Sequence, residues 1–407
     1  MLSAMKKMAA LVILLAGALV ALRATAAGPA ELDTLLRTAV EQKRVPLAVA
    51  MAADAKGVIY EHATGANKDA IFAIASMTKL VTSVAVMQLV ESGKVKLDEP
   101  ASTYVAELGS VQVLDGGKLR PPKRPVTVRH LLTHTSGFGY EFMNKDLFDL
   151  VAKKELVSAM AGGDAFLKAP LLFDPGTRWE YGISTDWLGR LVERVSGQSL
   201  DVYFRDQIFT PLGMPDSYFV VPPEKMSRMA PRHMRAENGA LVQPPPQPAA
   251  PVTFFSGGGG LFSTAPDYMR FVRALLGSGQ LDKRRILAAE TVAMMSRNHI
   301  GELNVTPVRS LLPQFVADQA RLPGGGDKFG LGFAVNSKAG GTRGANTMAW
   351  AGVFNTFFWI DREKQIGAVL FFHMLPFLDP AAKQVLEDFD RGVYGLKSTG
   401  SAPSAAR

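Results

Sequence analysis

The spacing of apolar positions changes along this chain. Residues 31–44, ELDTLLRTAVEQKR, place Leu32, Leu35, Leu36, Ala39 and Val40 on one helical stripe and predict an amphipathic helix. Two strand-like runs follow, PLAVAMAAD (46–54) and GVIYEHATG (57–65), joined by AKG as a hairpin. Near the other end, GLGFAVNS (330–337), NTMAWAGVFNTFFWID (346–361) and QIGAVLFFHML (365–375) are three strand candidates rich in β-branched and aromatic residues. PAAKQVLEDFDRGVYG (380–395) returns to a helical period. The economical arrangement is one antiparallel sheet built from residues 27–94 and 326–397 and covered by the terminal helices. Between them, residues 95–325 carry helical patterns such as DWLGRLVERVSGQSLDVYFRDQIF (186–209) and PDYMRFVRALLGSG (266–279), so this stretch is expected to be a mostly helical insertion. QPPPQPAAP (243–251) reads as an extended loop rather than a polyproline ligand, and residues 398–407 as a disordered tail.

The first 26 residues follow a different logic. Lys6 and Lys7 precede an apolar run from Ala9 to Leu22, and Ala24-Thr25-Ala26 forms a small-residue cleavage site. This is the pattern of an export signal. The run falls short of the roughly 20 residues that span a bilayer. A periplasmic or secreted protein is therefore expected, with no stable membrane insertion after cleavage. Removing Lys6, Lys7 and Arg23 takes the formal charge from +8 to 8 − 3 = +5, too mild to suggest a nucleic-acid partner. The absence of cysteine excludes disulfides and a thiol nucleophile. With 407 residues and 47% hydrophobic content, the chain can build a large core in two structural units instead.

Candidate chemistry begins at FAIASMTKLVTSVAVMQLVESGK (72–94). Ser76 stands where a strand-like run gives way to a helix whose apolar face is Leu80, Val81, Val84, Met87 and Leu89, with Gly93 as a stop. Lys79 is three residues on, one turn along the same face. A serine hydroxyl needs a base, and a buried lysine can serve because desolvation lowers its pKa. The helix N-terminus would favour negative charge developing at Ser76. Alone, the tetrapeptide is better read as an N-cap followed by a solvated lysine.

Other segments change that balance. VRHLLTHTSGF (128–138), DPGTRWEYGISTDWLGRLVERVSG (174–197), SGGGGLFSTAPDYMRF (256–271) and WAGVFNTFFWID (350–361), taken with Ser76-Met77-Thr78-Lys79, resemble the serine β-lactamase and penicillin-binding-protein superfamily. The likeness is to its class C-like branch, which includes the family VIII carboxylesterases, and it covers nearly all of the mature chain in the family's order. The resemblance implies an α/β (α+β) β-lactamase-like fold and no cofactor. It makes Ser76 the acylated nucleophile, Lys79 the residue sharing its proton, and Tyr181 a general base or proton relay. It also implies that the backbone N–H groups of Ser76 and Val353 form an oxyanion hole.

Two departures bear on substrate. Tyr181-Gly182-Ile183 stands in place of the usual Tyr-x-Asn, and Trp350-Ala351-Gly352 in place of Lys-Thr-Gly. Each loses a polar partner and gains apolar surface, which favours a neutral ester over an anionic β-lactam or a peptidoglycan stem. Trp350, Gly352, Ile183, Phe138 and Tyr140 are the expected substrate-binding residues, although core packing explains Phe138 and Tyr140 about equally well. His130 and His134 stand four apart, but without HExxH or a third ligand they are read as structural. Gly257–Gly260 fits neither a dinucleotide fingerprint nor a phosphate loop, which points to close backbone packing. The absence of G-x-S-x-G argues against an α/β-hydrolase.

The expectation is an exported serine hydrolase working through an acyl-enzyme, a carboxylesterase on short-acyl esters with a small-molecule ester or amide substrate and no obligate protein partner. Its rivals are a β-lactamase, D-Ala-D-Ala carboxypeptidase or amide hydrolase on the same scaffold, and a catalytically silent protein that binds cell-wall fragments or a partner.

Overall fold

The structure, a computed structural model, describes residues 28–245, 251–317, 326–339 and 341–399. The expected export signal, most of the proline-rich stretch and the end of the expected tail lie outside them. Seven strands form the central sheet: β1 (Ala48–Asp54), β2 (Val58–Thr64), β3 (Lys328–Phe329), β4 (Ala334–Val335), β5 (Met348–Gly352), β6 (Thr356–Asp361) and β7 (Ile366–Phe371). Their spatial order is β3-β4-β5-β6-β7-β1-β2, and every neighbouring pair is antiparallel. The two ends of the chain meet at the β1–β7 seam, where Val49 pairs with Phe371 and Ala53 with Gly367. The β1–β2 hairpin turns at Asp54, whose carboxylate accepts the amides of Lys56 (2.7 Å) and Gly57 (3.1 Å).

The longer helices are α1 (Pro29–Glu41), α2 (Thr78–Glu91), α3 (Ser184–Ser196), α4 (Ala265–Leu276) and α5 (Pro380–Thr399). Alternation along each strand divides the sheet into two faces. Ala48, Ala50, Ala52, Phe357, Trp359, Ala368 and Leu370 share a core with Leu32, Leu36 and Ala39 of α1 and with Val385, Leu386 and Phe389 of α5. Val49, Met51, Phe358, Val369 and Phe371 face a larger core that contains α2, α3 and α4. Because both faces are covered, β6 and β7 are buried along their whole length, which is why they read as unbroken apolar runs.

Four elements differ from the sequence reading. The expected strand at 330–337 contains only the two-residue β4, and β3 lies just ahead of it. Residues 346–361 form not one strand but two, β5 and β6, separated by a turn at 353–355. Asn355 supplies the turn with φ = +55°. Its buried side-chain amide donates to the carbonyls of Met374 and Pro376 (both 2.8 Å) while its Oδ1 accepts the Leu378 amide (2.8 Å). The helical pattern at 186–209 breaks at Gly197, which closes α3 in the left-handed region, and a second helix starts at Leu200. Finally, α2 is no surface amphipathic helix: Thr78, Thr82 and Ser83 are buried along with its apolar residues. Their hydroxyls are satisfied by carbonyls, among them Thr82 to Gly257 at 2.7 Å and Ser83 to Lys79 at 2.8 Å.

The helix α4 belongs against the sheet. Tyr268 meets Phe358 at 5.5 Å between ring centroids, and a Cβ on Gly367 would lie 2.5 Å from Val272 Cγ1. No described helix is long and apolar enough to cross a membrane.

Phe389 is fully buried between the rings of Tyr60 (5.9 Å) and Trp359 (6.0 Å), on the sheet face away from Ser76. Phe389→Ala should cost about 3–5 kcal/mol of stability. Chemical denaturation would show this as a lowered midpoint, while the kcat/KM of the folded fraction stays at the wild-type value.

Candidate active site

Ser76 sits in a short 3₁₀ turn, Ala75–Met77, two residues ahead of α2 rather than as its first residue. The preceding Ala75 has φ = +45°, a strained value for a residue with a side chain. Surrounding bonds hold it there. Thr78 Oγ1 donates to the Ala75 carbonyl (2.7 Å) and accepts the Leu261 amide (3.1 Å), and the Ile74 amide donates to Leu261 (3.1 Å). The turn leaves Ser76 partly exposed at a cavity wall.

Lys79 is only 1% exposed. Its Nζ lies 3.4 Å from Ser76 Oγ and donates to Tyr140 Oη (3.0 Å) and to the Gly258 carbonyl (2.7 Å). Three oxygens therefore surround an amine that has no access to bulk water. Tyr181 meets the same amine differently, with Nζ over its ring at 4.8 Å from the centroid. Among the described residues the Tyr181 hydroxyl has no hydrogen-bond partner, and its ring packs against Trp350 (5.1 Å), Tyr140 (5.2 Å) and His134 (5.0 Å). The resemblance assigns the key phenol to Tyr181, whereas the phenol bonded to Lys79 is that of Tyr140, expected only as a substrate-binding residue. The two tyrosines are adjacent because Gly182 and Gly139 touch: a Cβ on Gly182 would lie 2.5 Å from Gly139 Cα. Glycines flanking both tyrosines are the sequence signal for this contact, but only the fold shows which residues they bring together.

Burial, followed by the neighbouring Tyr181 and Asp186, holds the Tyr140 phenol well above its ordinary value, so it remains a neutral O–H. Burial and then the charge of Lys79 hold the His134 imidazole well below its ordinary value. His134 Nδ1 faces the Gly182 amide at 3.4 Å and its ring backs Tyr181. His130 serves a separate local structure, a capping box in which its Nδ1 accepts the Thr127 amide while Thr127 Oγ1 accepts the His130 amide (both 3.2 Å). Burial lowers the His130 pKa to about 4.

The end of β5 closes on Ser76 through Gly352. A Cβ there would lie 2.2 Å from the Ile74 carbonyl oxygen and 2.3 Å from Thr356 Oγ1, which itself donates to Ile74 (3.3 Å). The turn after β5 then puts Val353 on the same cavity as Ser76. Among the described residues neither the Ser76 nor the Val353 amide has a backbone acceptor, which leaves both available to an oxyanion.

This cavity has a volume of about 820 Å³. Tyr140, Phe142, Phe166, Tyr181, Phe315 and Trp350 give it an aromatic wall. Among the described residues its lining contains no lysine, arginine or histidine, and the charged residues there are Asp186 and Asp327. Three expected substrate-binding residues do not line it: Gly352, which packs on the Ile74 turn at the end of β5, Phe138 and Ile183. Phe138 is fully buried and stacks on Trp187 at 6.0 Å, and Ile183, 2% exposed, is part of the main core just ahead of α3. Both side chains fill space behind the site and do not line the cavity. The glycine run is a packing device, since Cβ atoms on Gly257 and Gly260 would lie 2.8 Å from the Thr185 carbonyl oxygen and 2.9 Å from the Phe219 ring.

A seven-stranded sheet with a helical layer against the Ser76 turn, and a lysine one helical turn from that serine, define a serine hydrolase on a β-lactamase scaffold. The β-lactamase family model matches residues 32–389, and the chain belongs to that family. It is 30% identical to monacolin J acid methylbutanoyltransferase of Aspergillus terreus, over 93% of this chain and 98% of the relative. It is 31% identical to lovastatin esterase of Penicillium rubens, over 83% and 91% of the two chains. A mutant simvastatin synthase from Aspergillus terreus superposes with a TM-score of 0.80 at 29% identity, covering 93% of this chain and 97% of its own. Family, fold and relatives agree on serine-hydrolase activity of the acyl-enzyme type.

Gly352→Ala would force β5 away from the Ile74–Ser76 turn. Phosphonate labelling of Ser76 should slow by roughly 100-fold, the scale of one lost oxyanion donor. Time-resolved intact-mass measurement of the adduct reads this rate.

Proposed function

We propose that the protein is an exported carboxylesterase that transfers a short acyl group from a neutral ester to Ser76 and then to water. In the first half-reaction Ser76 Oγ attacks the ester carbonyl as its proton passes to Lys79 Nζ, acting as general base. The Ser76 and Val353 amides stabilise the oxyanion, and the proton moves to the departing alcohol through Lys79 and the adjacent Tyr140 or Tyr181 hydroxyl. In the second half-reaction water attacks the acyl-enzyme, its proton follows the reverse route to Ser76, and the carboxylic acid leaves. The observation that carries this reading is the Ser76–Lys79–Tyr140 contact set opening into a cavity whose described lining residues include no cationic side chain. The described wall offers no cation to the carboxylate of a β-lactam or peptide, whereas a neutral ester needs no such partner. The name of the lovastatin esterase relative supports the same class.

Size refines the substrate. A cavity of about 820 Å³ exceeds what a short acyl chain fills, so the alcohol part of the ester is bulky and apolar. The same spare volume supports a second reading, transfer of the acyl group to a bound alcohol instead of water, which the methylbutanoyltransferase relative also suggests. Partitioning of product between acid and new ester, with a bulky secondary alcohol added, separates the two.

Two outcomes test the proposal. Ser76→Ala should remain folded and lose both turnover and phosphonate labelling, and substantial residual activity in that protein would sink the mechanism. On the wild type, kcat/KM for p-nitrophenyl butyrate should exceed that for nitrocefin by roughly 10- to 100-fold or more, the worth of one missing charge-assisted hydrogen bond. Nitrocefin turnover equal to or above ester turnover would overturn the esterase assignment and leave the Ser76 chemistry standing. Because Ile183 is in the core, Trp350→Lys is the substitution that should narrow the ratio.

A further inference from the structure

One buried charge has no part in the scheme above. Asp186 lies in the first turn of α3 and is 2% exposed. Its Oδ1 accepts from Ser256 Oγ (2.6 Å) and from the Gly258 amide (3.0 Å). The carbonyl of that same Gly258 accepts from Lys79 Nζ at 2.7 Å. One residue therefore joins the carboxylate to the amine, its N–H toward Asp186 and its C=O toward Lys79. Only glycine fits between them, because a Cβ at 258 would lie 2.3 Å from Asp186 Oδ2.

A neutral side chain could hold this loop with less desolvation cost than a buried carboxylate. Burial pushes the Asp186 carboxyl up, and among the opposing influences Lys79 comes first, ahead of the hydrogen bonds from Ser256 and Gly258. Lys79 thus opposes the burial that would neutralise Asp186. We infer that Asp186 is a positioning residue for the reaction, holding Lys79 against Ser76 through Gly258 and supplying the negative charge that balances the amine. This rests on the assignment of Ser76 and Lys79 as the reacting pair.

The other titratable groups around the pair are Tyr140, Tyr181, His134 and Glu141. Burial keeps Tyr140 and His134 neutral, so neither replaces the charge of Asp186.

The test is the pH profile of kcat/KM for p-nitrophenyl butyrate in Asp186→Asn. Asparagine keeps an acceptor for Ser256 and Gly258 and removes only the charge. Removing a negative charge from the surroundings of a base favours its neutral form, so the acid limb of the profile should move to lower pH. The loss in kcat should be roughly 10- to 100-fold, the scale of misplacement at a reacting group. Gly258→Ala dislodges the same carboxylate by another route and should move the limb the same way, so it decides the matter if Asp186→Asn does not fold. Near-UV circular dichroism establishes folding, and phosphonate labelling of wild-type Ser76 is measured alongside. An acid limb at the wild-type pH in the folded variants, whatever their rates, shows that Asp186 only braces the loop and overturns the inference. Wild-type protein that is not labelled at Ser76 overturns the assignment beneath it as well.

Discussion

Lys79 is an amine sealed from solvent in the centre of the molecule, and its burial is stable only because oxygens surround it. Those oxygens come from the Ser76 turn, from Tyr140 and from the Gly258 loop, so three distant segments of the chain are fixed relative to one another by a single side chain. A buried polar group left without partners costs several kcal/mol in an apolar surround. That cost enforces the geometry: displacing any one segment removes one of the amine's three oxygen partners.

Close approach of backbone does the remaining positioning. Gly352 against Ile74, Gly182 against Gly139 and Gly258 against Asp186 each lie where a methyl group would collide. In each case the missing side chain brings a candidate functional group, the Val353 amide, the paired tyrosines or the Lys79 acceptor, to its place. The helix α2 gains its central position by the same means, since a Cβ on Gly332 would lie 2.0 Å from Ser83 Oγ.

What could be read from the sequence follows the range of the interaction concerned. Ser76 and Lys79 are three residues apart, and helical geometry alone puts them together. The sheet was legible where its strands are long, as in β1, β2, β6 and β7, whereas β3 and β4 are two residues each and β3 falls outside every expected strand. The break between β5 and β6 was not legible, because strands buried on both faces lose the alternation that marks where one ends. Phe138, Ile183 and Tyr140 are all aromatic or apolar residues near a motif, and nothing local separates a cavity wall from the core behind it. The Tyr140 contact depends on two glycines far apart in the chain, so it appears only once the fold brings them into register.

The β1–β7 seam ties the site to the completeness of the chain. Ser76 belongs to the first part to be made, while β5, the turn holding Val353, and β7 belong to the last. A nascent chain therefore carries its candidate nucleophile for most of synthesis with no strand to complete the anion pocket and no partner for the inner edge of β1. Pairing between such remote segments is slow compared with helix formation. The unpaired edge of β1 and the apolar face it exposes are the features most open to wrong pairing in that interval. Chemical competence and escape from aggregation are thus acquired in one event, the docking of the C-terminal strands.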